Sequence, residues 1–351
     1  MLEFKAESLN NKLKLKTNMK LSMKNRVLVL LIVFLTMLGA LFILLIYQKK
    51  NQTPKTQTPQ QMAYSPNLKG KIYLTLQEVG TDKQGVYYFD LETKKLDQLY
   101  VPEADCYCLG GELSKNRTQM LVSANCVGEE GKEGIGTLNL QTKEIEILTQ
   151  SESNKKREAV WLPDGGFVYQ GNSQAGETLD PTPTNWFIWK YDKTTGEETP
   201  ITNSFHPFIS PDGKKILSLG GGDGLTLVDI ETGEGKLLNN FGDVYYIGNQ
   251  LALSNQKDKA AVSFPGEHKI VIYKINSWGE DASAEEIDTI STGNNEVYWP
   301  KFSPDDTYLT AEEVNGTKNE LVVYDLNTKK RTLIKDLSNY DKNAMWINDW
   351  K

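Results

Sequence analysis

One phrase recurs about every 47 residues along the chain: an aromatic or β-branched run, then Asp or Asn, then Thr, then Lys or Gly. It reads VYYFDLETKK at 86–95, IGTLNLQTKE at 135–144, WFIWKYDKTTGE at 186–197, LTLVDIETGE at 225–234 and LVVYDLNTKK at 321–330, with VIYKINS at 271–277 a degraded sixth copy. Self-similarity at this period means a solenoid or a propeller, because one such unit cannot bury its apolar face alone.

A second phrase divides each unit further. It is WLPDG at 161–165, ISPDGK at 209–214 and FSPDD at 302–306, with the weaker forms LSKNR at 113–117 and LSNQ at 253–256. Ser-Pro-Asp-Gly suits a type I turn, since Pro presets φ at the second position and Gly is favoured at the fourth. Each copy leads into a strand-like run. Together the phrases give a unit of four strands, a to d, with short a-b and c-d turns. Four strands per 40 to 50 residues is the period of a propeller blade, and amphipathic helical patterns are missing. The expectation is an all-β six-bladed β-propeller over residues 69–351, with five or seven blades as alternatives. The first unit begins at strand b with KIYLTL at 71–76, whereas AMWINDW at 344–350 matches the opening strands of other units. The C-terminal strand is therefore expected to complete the first blade.

At Ser210, Pro211, Asp212, Gly213 and Lys214, at Ser303, Pro304 and Asp305, and in variant form at Leu162, Pro163, Asp164 and Gly165, the chain resembles WD40-like, TolB-type propeller repeats. It is also similar to the propellers of dipeptidyl-peptidase-like proteins. The resemblance covers roughly residues 70–350 and implies an exported propeller that works by binding other proteins.

Ahead of the repeats, residues 27–47 (VLVLLIVFLTMLGALFILLIY) carry no charge. At about 1.5 Å per residue a helix of this length crosses the roughly 30 Å hydrocarbon core. Seven basic residues precede the run and three lie closely after it, so the positive-inside rule keeps 1–26 cytoplasmic and exports the chain beyond the helix. No small-residue cleavage site ends the run, which reads as a signal anchor and not a signal peptide. Residues 48–68, rich in Pro, Thr and Gln, read as a stalk. The expected location is the cell membrane, single-pass, with the propeller extracytoplasmic.

The net charge of -7 conceals a basic beginning: residues 1–50 hold nine basic and two acidic side chains, leaving -14 for the remainder. An acidic domain of this kind excludes nucleic acid as the default partner, because phosphate contacts need Lys and Arg clusters. The three cysteines fall within one unit, and in an oxidising compartment Cys126 is expected to pair with Cys106 or Cys108.

No Gly-x-Ser-x-Gly elbow exists in the sequence, and the two histidines, His206 and His268, read as turn or surface residues. The innermost strands read as mainly apolar or small, without paired carboxylates. These readings give no catalytic residue, metal ligand or cofactor. In a four-stranded blade the b-c loops share one face with the connections between blades, and that face is the varied one, where recognition resides. Twelve acids, including Glu78, Glu267, Glu312, Glu313 and Glu320, read as belonging to these loops, which favours a cationic protein partner. The longest insertion, 172–185, places Glu177 and Asp180 beside Trp186 and Trp189, and these four are the expected partner-binding residues. An envelope carbohydrate-binding module and a propeller hydrolase or lyase are the alternatives.

Overall fold

The Asp or Asn of the recurring phrase builds the turn that comes after it. Asp229 Oδ1 accepts from the N–H groups of Glu231 and Thr232, both at 3.0 Å, and equivalent bonds form at Asp90, Asn139, Asp192 and Asp325. The N–H four residues on returns to the carbonyl of the same Asp or Asn. Its owner is Lys94, Lys143, Gly196, Gly233 or Lys329, and all five have φ between 58° and 74°. That left-handed backbone is free for Gly and costs Lys a modest steric penalty, which accounts for the last position of the phrase.

The second phrase also builds a turn. Ser210 Oγ accepts from Lys215 N–H at 2.9 Å and donates to Asp212 at 2.6 Å. Ser114, Ser254 and Ser303 accept from the N–H five residues on in the same way, so the copies lacking Pro-Asp-Gly still make the turn.

The structure is a computed structural model that describes residues 68–102, 106–125, 132–151, 155–172, 186–220, 224–241 and 249–351. They form six four-stranded antiparallel sheets, numbered as blades from the N-terminal side. Blade 1 holds β1 (Lys71–Gln77), β2 (Gln84–Asp90) and β3 (Lys95–Tyr100), and blade 2 holds β4 (Cys108–Leu113), β5 (Gln119–Ala124), β6 (Glu133–Asn139) and β7 (Ile145–Ser151). Blade 3 holds β8 (Lys156–Trp161), β9 (Phe167–Asn172), β10 (Trp186–Tyr191) and β11 (Glu198–Thr202). Blade 4 holds β12 (Ser204–Ile209), β13 (Lys215–Gly220), β14 (Gly224–Asp229) and β15 (Gly235–Asn240). Blade 5 holds β16 (Gln250–Leu253), β17 (Lys259–Phe264), β18 (Lys269–Ile275) and β19 (Ala284–Ser291). Blade 6 holds β20 (Glu296–Phe302), β21 (Tyr308–Asn315), β22 (Lys318–Asp325) and β23 (Arg331–Asp336). The last strand, β24 (Trp346–Trp350), lies antiparallel to β1 as the fourth strand of blade 1, pairing Trp350 with Ile72 and Trp346 with Thr75.

Burial falls from the inside of each blade outward. Five of the six residues of β5 and of β17 are buried, whereas none of β15 is. Strands covered on both faces by neighbouring sheets read as continuous apolar runs, and outer strands read as polar. Six apolar clusters lie between neighbouring blades. One of them joins Leu74 and Leu76 of blade 1 to Leu321 and Val323 of blade 6, so the sixth blade packs against the first.

Among the described residues no helix is long and apolar enough to cross a membrane. The expected anchor at 27–47 lies outside those residues, as do Cys126, Glu177 and Asp180.

Candidate central-channel site

The inner strands of the blades surround a cavity of about 580 Å³, lined by β4, β8, β12, β16, β20 and β24. A break in the ladder between the first and second strands shapes this wall. Register shifts fall between Gly110 and Leu113, between Arg157 and Val160, between Phe205 and Phe208, and between Tyr298 and Lys301. A bulge of this kind breaks the period of two and re-aims a side chain. Glu158, His206 and Trp299 occupy the same place in their strands, four residues before the turn residues Leu162, Ser210 and Ser303, with φ of 51°, 52° and 51°. Left-handed backbone is rare for such residues, and it recurs here at one depth of the channel.

His206 Nδ1 lies 2.6 Å from Glu158 Oε2, joining blade 4 to blade 3. Burial would raise the Glu158 carboxyl, but His206, with Lys301 and Arg157 behind it, outweighs burial and holds it below the usual range. The His206 ring also meets Trp299 edge-on at 5.9 Å, and Trp299 in turn packs on Trp346 at 5.8 Å. His206 is therefore a channel residue, not the turn or surface residue expected from the sequence.

Glu112 stands on β4 and accepts from Trp161 N–H at 2.9 Å. Burial, reinforced by nearby Asp349, pushes its carboxyl up to about 7. Asp349 on β24 accepts from Leu113 N–H at 3.2 Å. One residue earlier, Asn348 bonds the Thr75 hydroxyl at 3.1 Å. A Cβ on Gly110 would sit 2.1 Å from the Asn348 amide, so glycine is what lets β4 approach β24. Two lysines mark the end of the channel near the a-b turns. Lys257 donates to Ile209 O at 2.7 Å and Ser210 O at 3.2 Å, and Lys351 donates to Asn255 at 3.1 Å. Lys301 lies 5.0 Å from the centre of the Phe208 ring, and burial depresses its pKa.

The inner wall thus carries Glu112, Glu158, Asp349 and several cations where the sequence reads as apolar or small. Strand period alone conceals them. Aligning the inner strands on the turns at their ends would have set Glu158, His206 and Trp299 in one column.

The expected binding residues separate. Trp186, the first residue of β10, lines the channel with the Arg157 guanidinium 6.0 Å from its ring. Trp189 stacks on Tyr169 at 6.5 Å within the seam between blades 2 and 3, where it serves packing. The acidic loop face loses four members, the first being Glu133, which opens β6. Glu312 and Glu313 belong to β21 and are 1% exposed, and Glu320 belongs to β22 and pairs with Arg331. Strand β21 continues through the two acids, which point to opposite faces and are both enclosed by neighbouring blades. Arg331 Nε, Tyr324 and Asn295 satisfy Glu313. Cys106 is disulfide-bonded and Cys108 is a free, buried thiol.

No protein-family model and no curated protein sequence matches the chain. Solved structures do. TolB of Acinetobacter baumannii aligns with a TM-score of 0.58 at 17% identity, over 80% of this chain and 66% of that one, so the chain spans just under two thirds of its length. A propeller of Agrobacterium tumefaciens described as TolB aligns at 0.52 and 14% identity, over 76% and 89%. An oligogalacturonate lyase in complex with manganese aligns at 0.50 and 14%, over 75% and 85%. The chain has the propeller fold of TolB-type proteins, and at these identities the likeness speaks for fold alone.

Proposed function

We propose that the chain is a membrane-anchored, extracytoplasmic binding module that recognises a protein partner at the channel mouth formed by the b-c loops and the connections between blades. The anchor rests on the uncharged run 27–47 and its basic flank. The observation that carries the recognition site is Trp186 with Arg157 at that mouth, on a rigid scaffold beside the long connection between β9 and β10. Trp and Arg in a concave, partly desolvated position are the residue types that dominate binding energy at interfaces. The likeness to TolB-type propellers agrees with a binding role.

The test places a photo-crosslinking residue at position 186 in the full chain and recovers adducts from solubilised membranes. A discrete adduct that disappears when 172–185 is replaced by a short Gly-Ser loop supports the proposal. No adduct, or one indifferent to that replacement, sinks it. A second reading is favoured by Glu112: a carboxyl poised near 7 beside Asp349 suits general acid catalysis on a ligand within the channel. Turnover abolished by Glu112→Gln would select that reading.

A further inference from the structure

We propose that Asn315 and Gly316 form a self-modifying site, at which the Asn315 side chain closes on the Gly316 backbone nitrogen, releases ammonia and leaves aspartate or isoaspartate. The change breaks a hydrogen-bond relay at the seam of blades 5 and 6. This goes beyond recognition of a partner at the channel mouth and does not depend on it.

Asparagine is chemically labile, and the residue after it decides how easily its side chain can be reached by the backbone. Asn followed by Gly occurs once in the chain, and the fold sets it at the tip of a hairpin. Asn315 ends β21, Lys318 opens β22, and the two residues pair, so Gly316 and Thr317 make a two-residue turn. Gly316 has φ of 61° at the first central position, as a type II′ turn demands of glycine. Its N–H lies outside the strand ladder and makes no hydrogen bond among the described residues. A Cβ at this position would meet nothing within 4 Å, so no neighbour shields the attacking nitrogen. Asn315 is itself exposed. Opening the one terminal pair, Asn315 with Lys318, frees its side chain to turn onto Gly316, and strand ends open at the least cost.

The step balances with water as the only co-reactant. Gly316 N bonds to Asn315 Cγ, the Cγ–Nδ2 bond breaks, and Nδ2 leaves as ammonia with the proton given up by Gly316. Water then opens the ring at one of its two carbonyls, which yields aspartate or isoaspartate.

The surroundings register the product. Asn315 Nδ2 donates to Asn295 Oδ1 at 2.8 Å, and Asn295 Nδ2 donates to Glu313 Oε2. Glu313 is 1% exposed and also accepts from Arg331 and Tyr324. An ionised carboxylate only accepts, so Glu313 fixes which way the Asn295 amide points, and Asn295 in turn fixes Asn315. With a carboxylate at position 315, an oxygen faces the Asn295 oxygen. Turning the Asn295 amide round would repair that contact and break the one to Glu313. One hydrogen bond is therefore lost in either orientation, between the connection from β19 to β20 and the end of β21.

The test incubates the full chain in detergent under mildly alkaline buffer and follows it by peptide mass mapping and by isoaspartate-specific carboxyl methylation. The peptide holding Asn315 should gain one mass unit and a methylatable isoaspartate ahead of every other asparagine, and Asn315→Gln should abolish both signals. Asn315→Asp, which reproduces the aspartate product, should melt about 2 °C below the wild type, the shift for one lost hydrogen bond in a chain of this size. That fall should largely vanish in an Asn295→Ala background, where the relay is already broken. Asn315 left unmodified, a signal that survives Asn315→Gln, other asparagines reacting as fast, or a fall of equal size in the Asn295→Ala background overturns the proposal.

Discussion

His206 Nδ1 stands 2.6 Å from Glu158 Oε2 across the seam of blades 3 and 4, and both residues hold left-handed backbone at the same depth of the channel. Two effects at this pair are separable. Asn tolerates left-handed backbone, so His206→Asn removes the pair while sparing the main chain. Its expected cost is about 1 to 3 kcal/mol, the penalty for stranding a partly enclosed charged group. His206→Val adds backbone strain of about 1 to 2 kcal/mol on top, because β-branched residues resist positive φ. Urea unfolding at neutral pH measures both, and equal stability of the two variants would remove the strain argument.

The carboxyls of the channel give opposite pH dependences. Glu112 is raised from 4.5 to about 7, so the folded chain binds its proton more tightly than the unfolded chain does. Stability from this group is intact below the ordinary value and is lost as pH rises toward 7. Glu312, driven up by burial, acts in the same direction. Glu158, held down, stabilises above its ordinary value and loses that contribution as pH falls through its folded value. Melting temperatures across pH 4 to 8 should therefore decline on the alkaline side in the wild type, and decline less in Glu112→Gln, whose amide oxygen still accepts from Trp161. An unchanged alkaline slope in that variant would contradict the placement of Glu112.

The turns were legible from sequence because their chemistry is local. Asp229 meets its donors two and three residues on, and Ser210 meets its donor five residues on, so spacing alone describes them. The channel was not legible for the converse reason. Glu112, Glu158, His206 and Lys301 come from four blades, and no spacing within one strand brings them together. Their inward direction depends on bulges that alternation cannot reveal. Glu312 and Glu313 show the reverse error, since two consecutive acids look like a loop until neighbouring blades cover both faces of their strand.

Trp350 tests the proposed closure of the ring by β24. It is 1% exposed, packs with Tyr308 of blade 6 at 6.5 Å, and donates from its indole to Lys69 O at 3.2 Å. Lys71 and Lys351 exchange backbone bonds of 2.7 and 3.0 Å at the end of the same strand pair. Trp350→Ala should cost about 3 to 5 kcal/mol, as for other large aromatic deletions in a packed core. Deleting 343–351 should lower the melting temperature more, because β1 is then left with an unpaired edge. A melting curve unaffected by the deletion would refute closure by this strand.

The thiols of blade 2 should react in a fixed order. Cys106 is disulfide-bonded while Cys108, two residues on, is free, enclosed by Val86, Met120 and Val122, and its thiol is pushed up by burial. A thiol that stays protonated and shielded is a poor nucleophile, so Cys108 should resist iodoacetamide at neutral pH until the chain is unfolded. With Cys108 free and Cys106 bonded among the described residues, the disulfide is proposed to join Cys106 to Cys126. Peptide mapping without reductant should recover that linked pair together with Cys108 labelled only after denaturation. Labelling of Cys108 in the native chain, or a linked peptide containing it, would overturn the assignment. Cys106→Ser should then expose Cys126 to the same reagent in the native chain, while Cys108→Ala leaves the linked pair intact and alters only packing against Met120.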